Sequence, residues 1–323
     1  MKILSYGSNY VSTGHNAGAE TTLHDLNREC KRQGHSVSHL GSRAFKDGSG
    51  SFVVDGIKVQ AHGSKQDPFL YFPGADVIFS QLESSARASL VTAQLGKPHI
   101  QLVHNTTEFS QGIAKYADYL VWNCENTRSS MEVSKPGVTV YPLIDPARYH
   151  VDFDVDPSER YVTLINLSDG TDPFYDKGFR VFYWLARRFP DLRFLGVRGA
   201  YGNQAIQDLP NVTIVDHTAN ILEVYRKTAV LLVPSTVESF GRVAVEAAAS
   251  GIPSLSSDLP GPREAGCSYA YIHPEDMFVW EGALENVFRH YEKASVIAAE
   301  RSRVLWMKTK EQIESFLSLL ERL

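Results

Sequence analysis

The chain has 323 residues, 43% of them apolar and 21% charged, with a net charge of −5. That length suits two domains, and no apolar run is long enough to span a membrane. The mildly acidic balance does not favour a surface that tracks nucleic-acid phosphates, and three cysteines without close pairing or metal-like spacing argue against a disulfide framework.

The N-terminus opens on a short apolar strand ending near Tyr6. A loop with Gly7, Gly14 and Gly18 follows, then a helix from Ala19 to Gln33 that Gly34 ends. The spacing is not G-x-G-x-x-G, so a dinucleotide-binding fingerprint is absent. Ser84 to Lys97 offers only Arg87 and Lys97 as cations, weak for an anionic membrane. His99 to His104 reads as a strand with His104 at its end. Alone, a histidine there is more often structural than catalytic. A strand from Val138 to Tyr141 leads to Pro142, Asp145, Pro146 and Tyr149. The acidic, non-periodic run after it, residues 151–160, reads as an interdomain linker.

The second half restarts with a strand from Tyr161 to Leu167 and a polar loop ending in Lys177 and Gly178. A helix from Phe179 to Arg188, a strand from Leu192 to Val197, a strand from Asn211 to Val215 and a helix from Ile221 to Lys227 follow. The buried-looking strand Val230 to Val233 then runs into PSTVESFGRVAVEAAASGIP. Here Glu238 and Glu246 stand with seven residues between them, and a helix begins near Gly241. A helix N-terminus has unpaired N–H groups and partial positive charge, so it can hold a diphosphate. Glutamates beside it can accept hydrogen bonds from neutral hydroxyls. A glutamate pair taken alone is more often a cap and a solvated helix residue. Ala and Val on nearly every face of this helix instead imply burial, and a buried glutamate needs a partner. Ser295 to Leu323 reads as a long helical stretch broken near Thr309. Strands alternating with helices in both halves argue for parallel sheets, whose ligands bind at C-terminal strand ends.

The segment from Pro234 to Pro253 resembles the family 4 glycosyltransferases, whose pattern is E-S-F-G, four residues, E, then A-x-A-x-G-x-P. The resemblance implies an α/β GT-B fold, with two Rossmann-like parallel-sheet domains facing a central cleft and a final helix crossing back to the first. The expected divisions are 1–150 on the acceptor side, a linker at 151–160, a donor domain at 161–300 and the returning helix at 301–323. It also implies a retaining enzyme that uses a nucleoside diphosphate sugar and no metal cofactor. In that frame Glu238 contacts the donor sugar and Glu246 the ribose. The loop of Ser239, Phe240, Gly241 and Arg242 meets the diphosphate. Gly18 and Ala19 resemble the family's G-G-x-E loop, with Ala17 in place of one glycine. His104 matches a family histidine near the reacting sugar, and Lys177-Gly178 matches the K-G that neutralises the diphosphate.

One departure stands out. The family's G-R-L before K-G is Asn166-Leu167-Ser168 here, so an arginine is missing, and Arg198 or Arg242 is expected to replace its charge. The acceptor is open: residues 42–70 and His15 are candidates for it. The first 150 residues carry 14 Lys and Arg against 13 Asp and Glu, which leaves a nucleic-acid acceptor possible but not favoured. With no signal peptide read and few cysteines, the expected compartment is the cytoplasm. Two other readings stand beside the enzyme: an epimerase of the same fold, and a non-catalytic sugar-nucleotide-binding protein, which the missing arginine favours.

Overall fold

A computed structural model of the protein describes residues 1–11, 17–41, 50–61, 70–171, 176–200 and 202–323. Gly14 and His15, and residues 42–49 and 62–69 of the expected acceptor loops, lie outside the described residues. The chain packs as two compact units: Met1–Leu143 with Thr309–Leu323, and Ile144–Lys308.

In the first unit come β1 (Lys2–Gly7), α1 (Gly18–Arg32), β2 (Ser36–Gly41), β3 (Gly50–Val54), β4 (Ile57–Ala61), β5 (Val77–Gln81) and α2 (Ser84–Leu95). They are followed by β6 (His99–Val103), α3 (Glu108–Ala114), β7 (Tyr119–Trp122), α4 (Glu125–Ser129) and β8 (Gly137–Thr139). The sheet order is β3-β4-β2-β1-β5-β6-β7-β8. Only the β3–β4 pair is antiparallel among the described strands of this sheet. Central strands are buried on both faces, as parallel strands covered by helices must be: every residue of β5 and β6 is buried. Leu4, Tyr6, Leu40, Phe72, Ile78 and Ala88 form one core, with the Tyr6 and Phe72 rings edge to face at 5.5 Å.

The second unit contains α5 (Pro146–Tyr149), β9 (Tyr161–Ile165), α6 (Phe179–Arg188), β10 (Arg193–Val197), β11 (Val212–Val215), α7 (Ile221–Tyr225) and β12 (Thr228–Val233). After these come α8 (Arg242–Ala249), β13 (Ser254–Ser257), α9 (Pro260–Ala265), β14 (Ala270–Ile272), α10 (Met277–Arg289) and the start of α11 (Tyr291–Leu320). The sheet is β11-β10-β9-β12-β13-β14, with every pair parallel. Its core joins Val162, Leu164, Phe182, Phe194, Leu232 and Trp280. The order turns at β9 and β12: the chain winds outward from β9 on one side and from β12 on the other. Crevices at such switch points hold ligands in open α/β sheets, and the Lys177 and Glu238 loops leave these two strands.

Two expectations meet a different structure. The stretch read as broken near Thr309 is one continuous helix, α11, of 30 residues, with Thr309 buried at 1% exposure. Threonine is a weak helix former rather than a stop, and packing overrides so small a preference. Residues 151–160, read as a linker, fall within the second unit and are anchored there by the buried Val151 and Arg160. Arg160 is buried, donates to the Thr228 carbonyl and the Tyr291 hydroxyl at 3.1 Å each, and lies 3.9 Å over the Phe153 ring.

Candidate active site

The site in the second unit starts with two loops that are locked together. Gly178 has φ +81°, a left-handed conformation that costs a side chain about 1 kcal/mol or more. A Cβ there would also lie 2.2 Å from the Pro234 carbonyl oxygen. Asp176 fixes the turn: its carboxylate accepts from the Gly178 N–H at 2.8 Å, and its carbonyl accepts from the Thr236 N–H at 3.2 Å. The result is that Lys177 reaches across, with Nζ 2.9 Å from Glu238 Oε2. Their side chains are only 25% and 17% exposed.

Glu238 then leads into α8. Gly241, at φ +84°, is the N-cap of α8 and has no side chain with which to cap it. Glu238 Oε1 lies 3.4 Å from the Gly241 N–H, so its carboxylate also points at the start of α8. Phe240 is buried and anchors the loop, while Gly261 of α9 backs it: a Cβ there would stand 2.0 Å from the Ser239 carbonyl oxygen. An uncapped helix start beside a lysine is an anion site by geometry.

Glu246 sits on the second turn of α8 and is 5% exposed, not a solvated helix residue. Its Oε1 is 2.5 Å from Arg242 Nε, the i,i+4 neighbour, and its Oε2 accepts from the Tyr225 hydroxyl at 2.7 Å. Arg242 also donates to the Tyr149 hydroxyl at 2.7 Å. Arg242, expected as a replacement phosphate contact, is therefore engaged by Glu246 and Tyr149. Arg198 follows β10 and pairs with the exposed Asp216 at 3.5 Å. The arginine position of the family pattern is Leu167, which is wholly buried in the core. Asn166 beside it takes φ +75°, a conformation asparagine tolerates where the family has glycine. Thus a buried leucine, not a cation, occupies the arginine position.

The first unit holds the other expected residues at the C-terminal edge of its own sheet. Gly18 and Ala19 begin α1, whose N-cap Ala17 is extended and gives no side-chain cap. A Cβ on Gly18 would meet nothing within 4 Å among the described residues, so the fold itself does not demand a glycine there. His104 follows β6, and its Nε2 donates to Gln81 Oε1 at 2.9 Å. The Asn123 side chain donates to the His104 carbonyl at 3.2 Å. Gln81, His104 and Asn123 thus link the ends of the neighbouring strands β5, β6 and β7.

The family described as "Glycosyl transferases group 1" matches residues 184–290, which include the whole Glu238–Glu246 segment. A D-inositol 3-phosphate glycosyltransferase of Rhodococcus jostii is 30% identical over 228 residues, 63% of this chain and 48% of its own length. One from Mycolicibacterium vanbaalenii is 42% identical over 71 residues, 21% of this chain and 16% of its own. The chain spans about half the length, or less, of these curated relatives. Anabaena HepE, solved in complex with UDP-glucose, aligns with a TM-score of 0.78 at 15% identity, covering 98% of this chain and 99% of that one. Sucrose-phosphate synthase from Thermosynechococcus elongatus aligns at 0.74 and 14%, covering 100% and 98%. Residues 184–290 thus match the group 1 glycosyltransferases, and the curated relatives are glycosyltransferases. The chain's GT-B fold is that of these solved structures.

The sequence placed Lys177 and Glu238 beyond strand C-termini, and they lie in the loops that leave β9 and β12. Tyr225 and Tyr149 were missed. Tyr225 lies 21 residues before Glu246 on a five-residue helix, and no spacing signals their contact. The Arg242–Glu246 pair, by contrast, carries the i,i+4 spacing of a helix ion pair. Among the described residues, no helix is long and apolar enough to cross a membrane.

Proposed function

We propose that the chain is a retaining glycosyltransferase that moves a sugar from a nucleoside diphosphate sugar to an acceptor hydroxyl or other nucleophile. The anomeric carbon–oxygen bond to the diphosphate breaks, a bond from the same carbon to the acceptor forms on the same face, and the acceptor's proton passes to the departing diphosphate. The observation that carries this is the Lys177–Glu238 pair at the uncapped start of α8. Lys177 and the α8 amides stabilise the charge that grows on the leaving diphosphate, usually the largest catalytic contribution. As the diphosphate draws Lys177, Glu238 is released to orient a sugar hydroxyl. Glu246 accepts from the ribose. Gly18 and Ala19 are assigned to the diphosphate, and His104 to the sugar beside the reacting carbon. Arg198, just past the end of β10 beside β9, is assigned the outer diphosphate charge that Leu167 cannot supply.

HepE was solved with UDP and with UDP-glucose, which supports a UDP-sugar as the donor to try first. The expectation of metal independence is checked by turnover in excess chelator. The three cysteines are free and buried, which suits the reducing cytoplasm we assign.

The test is a thermal-shift and turnover screen with UDP-, GDP-, ADP- and TDP-sugars on wild type and on Glu246→Ala. A donor that raises the melting temperature of wild type only, with release of the diphosphate, supports the assignment; no shift with any donor sinks it. The buried Leu167 in the arginine position favours one second reading, a non-catalytic sugar-nucleotide-binding protein. That reading expects binding without release of diphosphate, whatever acceptor is supplied.

A further inference from the structure

The Glu246 carboxylate is held more firmly than a helix glutamate needs. A glutamate χ3 torsion is broad and roughly two-fold, so an unsupported carboxylate swings its plane freely. Here each oxygen has its own fixed donor: Arg242 Nε at 2.5 Å on Oε1, and the Tyr225 hydroxyl at 2.7 Å on Oε2. Both donors are themselves immobile. Tyr225 is fully buried at the end of α7. Arg242 donates to the Tyr149 hydroxyl at 2.7 Å. Tyr149 is in turn fixed to the far end of α8, where Ser250 Oγ donates to its carbonyl at 2.6 Å and accepts from the Val151 N–H at 3.1 Å.

The chemistry limits what this arrangement does. Burial, and then the Glu246 charge, raise the Tyr225 hydroxyl well above the ordinary tyrosine value, so it stays a donor. A carboxylate oxygen has room for about two hydrogen bonds, and one at each Glu246 oxygen is used. The remaining lone pairs can accept two neutral hydroxyls side by side, the pattern of a vicinal diol. A further cation is not required, because Arg242 already balances the charge.

We propose that Tyr225, together with Tyr149 acting through Arg242, is a positioning residue that fixes the Glu246 carboxylate plane for the cis-diol of a nucleoside ribose. The inference rests on the donor-site assignment of Glu246. It goes beyond it in stating what makes that glutamate selective for ribose over deoxyribose.

The test compares the nucleoside diphosphate that binds best among UDP, GDP and ADP with its 2′-deoxy counterpart, by calorimetry. Wild type, Glu246→Gln, Tyr225→Phe and Tyr149→Phe are measured. A hydrogen bond to a charged group gives wild type a preference of about tenfold or more for the ribonucleotide. Tyr225→Phe keeps the ring and removes only the hydroxyl. It is expected to cut that preference at least about fivefold, with Tyr149→Phe cutting it less. A residue that merely fills the core would weaken both nucleotides alike and leave the ratio intact. If Glu246→Gln abolishes the preference while the folded tyrosine variants keep it, the positioning role is overturned and the donor assignment survives. Should Tyr225→Phe not fold, an unchanged ratio in Tyr149→Phe overturns the clamp in the same way. If wild type shows no preference, or binds none of the three nucleotides, the donor assignment fails first and the clamp with it.

Discussion

Gly178 and Pro234 approach so closely that a Cβ on the glycine would lie 2.2 Å from the proline carbonyl oxygen. This contact sets where Lys177 meets Glu238. Gly241 has nearly the same left-handed φ, yet a Cβ there would be 3.6 Å from its nearest neighbour, Pro262. The two glycines therefore separate conformational strain from steric closeness. Gly241→Ala should cost about 1–2 kcal/mol, the strain alone. Gly178→Ala should cost clearly more, because backbone must move, and should also weaken donor binding by spreading the two loops. Urea denaturation of both variants, with nucleotide titration of each, checks the difference.

Lys177 is the cation the site can least lose. Lys177→Met should lower kcat by about a hundredfold or more, the scale of removing one stabilising group from a developing charge. Its donor-free stability should change by about 1 kcal/mol or less, since the pair with Glu238 is partly solvated. Steady-state diphosphate release and a thermal melt without donor measure the two effects. A variant that keeps kcat within about threefold of wild type would remove Lys177 from the diphosphate.

The first unit should be acid-sensitive through two buried histidines. Burial pushes His39 down from 6.5 to about 3, and the nearby His24 adds to this; burial alone pushes His99 down to about 4. His39 meets Ser5 Oγ at 2.8 Å, and His99 meets Ser80 Oγ at 2.7 Å. Both are neutral when folded but take up a proton when unfolded below pH 6.5. Their contribution is therefore complete above that pH and is lost as the pH falls toward about 4. Each histidine should add a slope of about 1.4 kcal/mol per pH unit in that window. Amide exchange in β1 and β6 between about pH 7 and pH 4.5 should show it, and His99→Gln should remove one share of the slope.

Arg160 tests the packing of the segment that its composition disguised. Its guanidinium holds the Thr228 carbonyl and the Tyr291 hydroxyl and covers Phe153. Arg160→Ala should destabilise the second unit by about 2–3 kcal/mol, because a buried carbonyl and a largely buried hydroxyl lose a charged donor. A lowered urea midpoint without lost nucleotide affinity is the expected result.

The parts legible in the sequence are those governed by local rules. The strand ending at Val233 was read from its apolar run, and the helix Phe179–Arg188 lies where it was read. The Glu238–Glu246 segment was legible because its glycine, its small-residue helix and its spacing all lie within one loop and one helix. What was not legible depends on residues far apart in the chain. The Tyr225–Glu246 contact and the burial of Arg160 arise only when helices and strands pack, and neither leaves a periodic trace. The acidic run at 151–160 read as solvated because its aspartates dominate the composition, while Val151 and Arg160 do the packing.

The uninterrupted course of α11 bears on how the protein is made. Phe316 and Leu320 are fully buried, the Phe316 ring meets Phe79 edge to face at 5.9 Å, and Gln312 Oε1 accepts from the Tyr141 N–H at 2.9 Å. Phe79 and Tyr141 thus wait for residues made roughly 170 to 240 positions later before their core can close. The unit encoded in the middle, Ile144–Lys308, has all its own strands and can complete itself sooner. On the ribosome, order of translation and order of maturation should therefore be reversed: the amino-terminal sheet emerges first and is finished last.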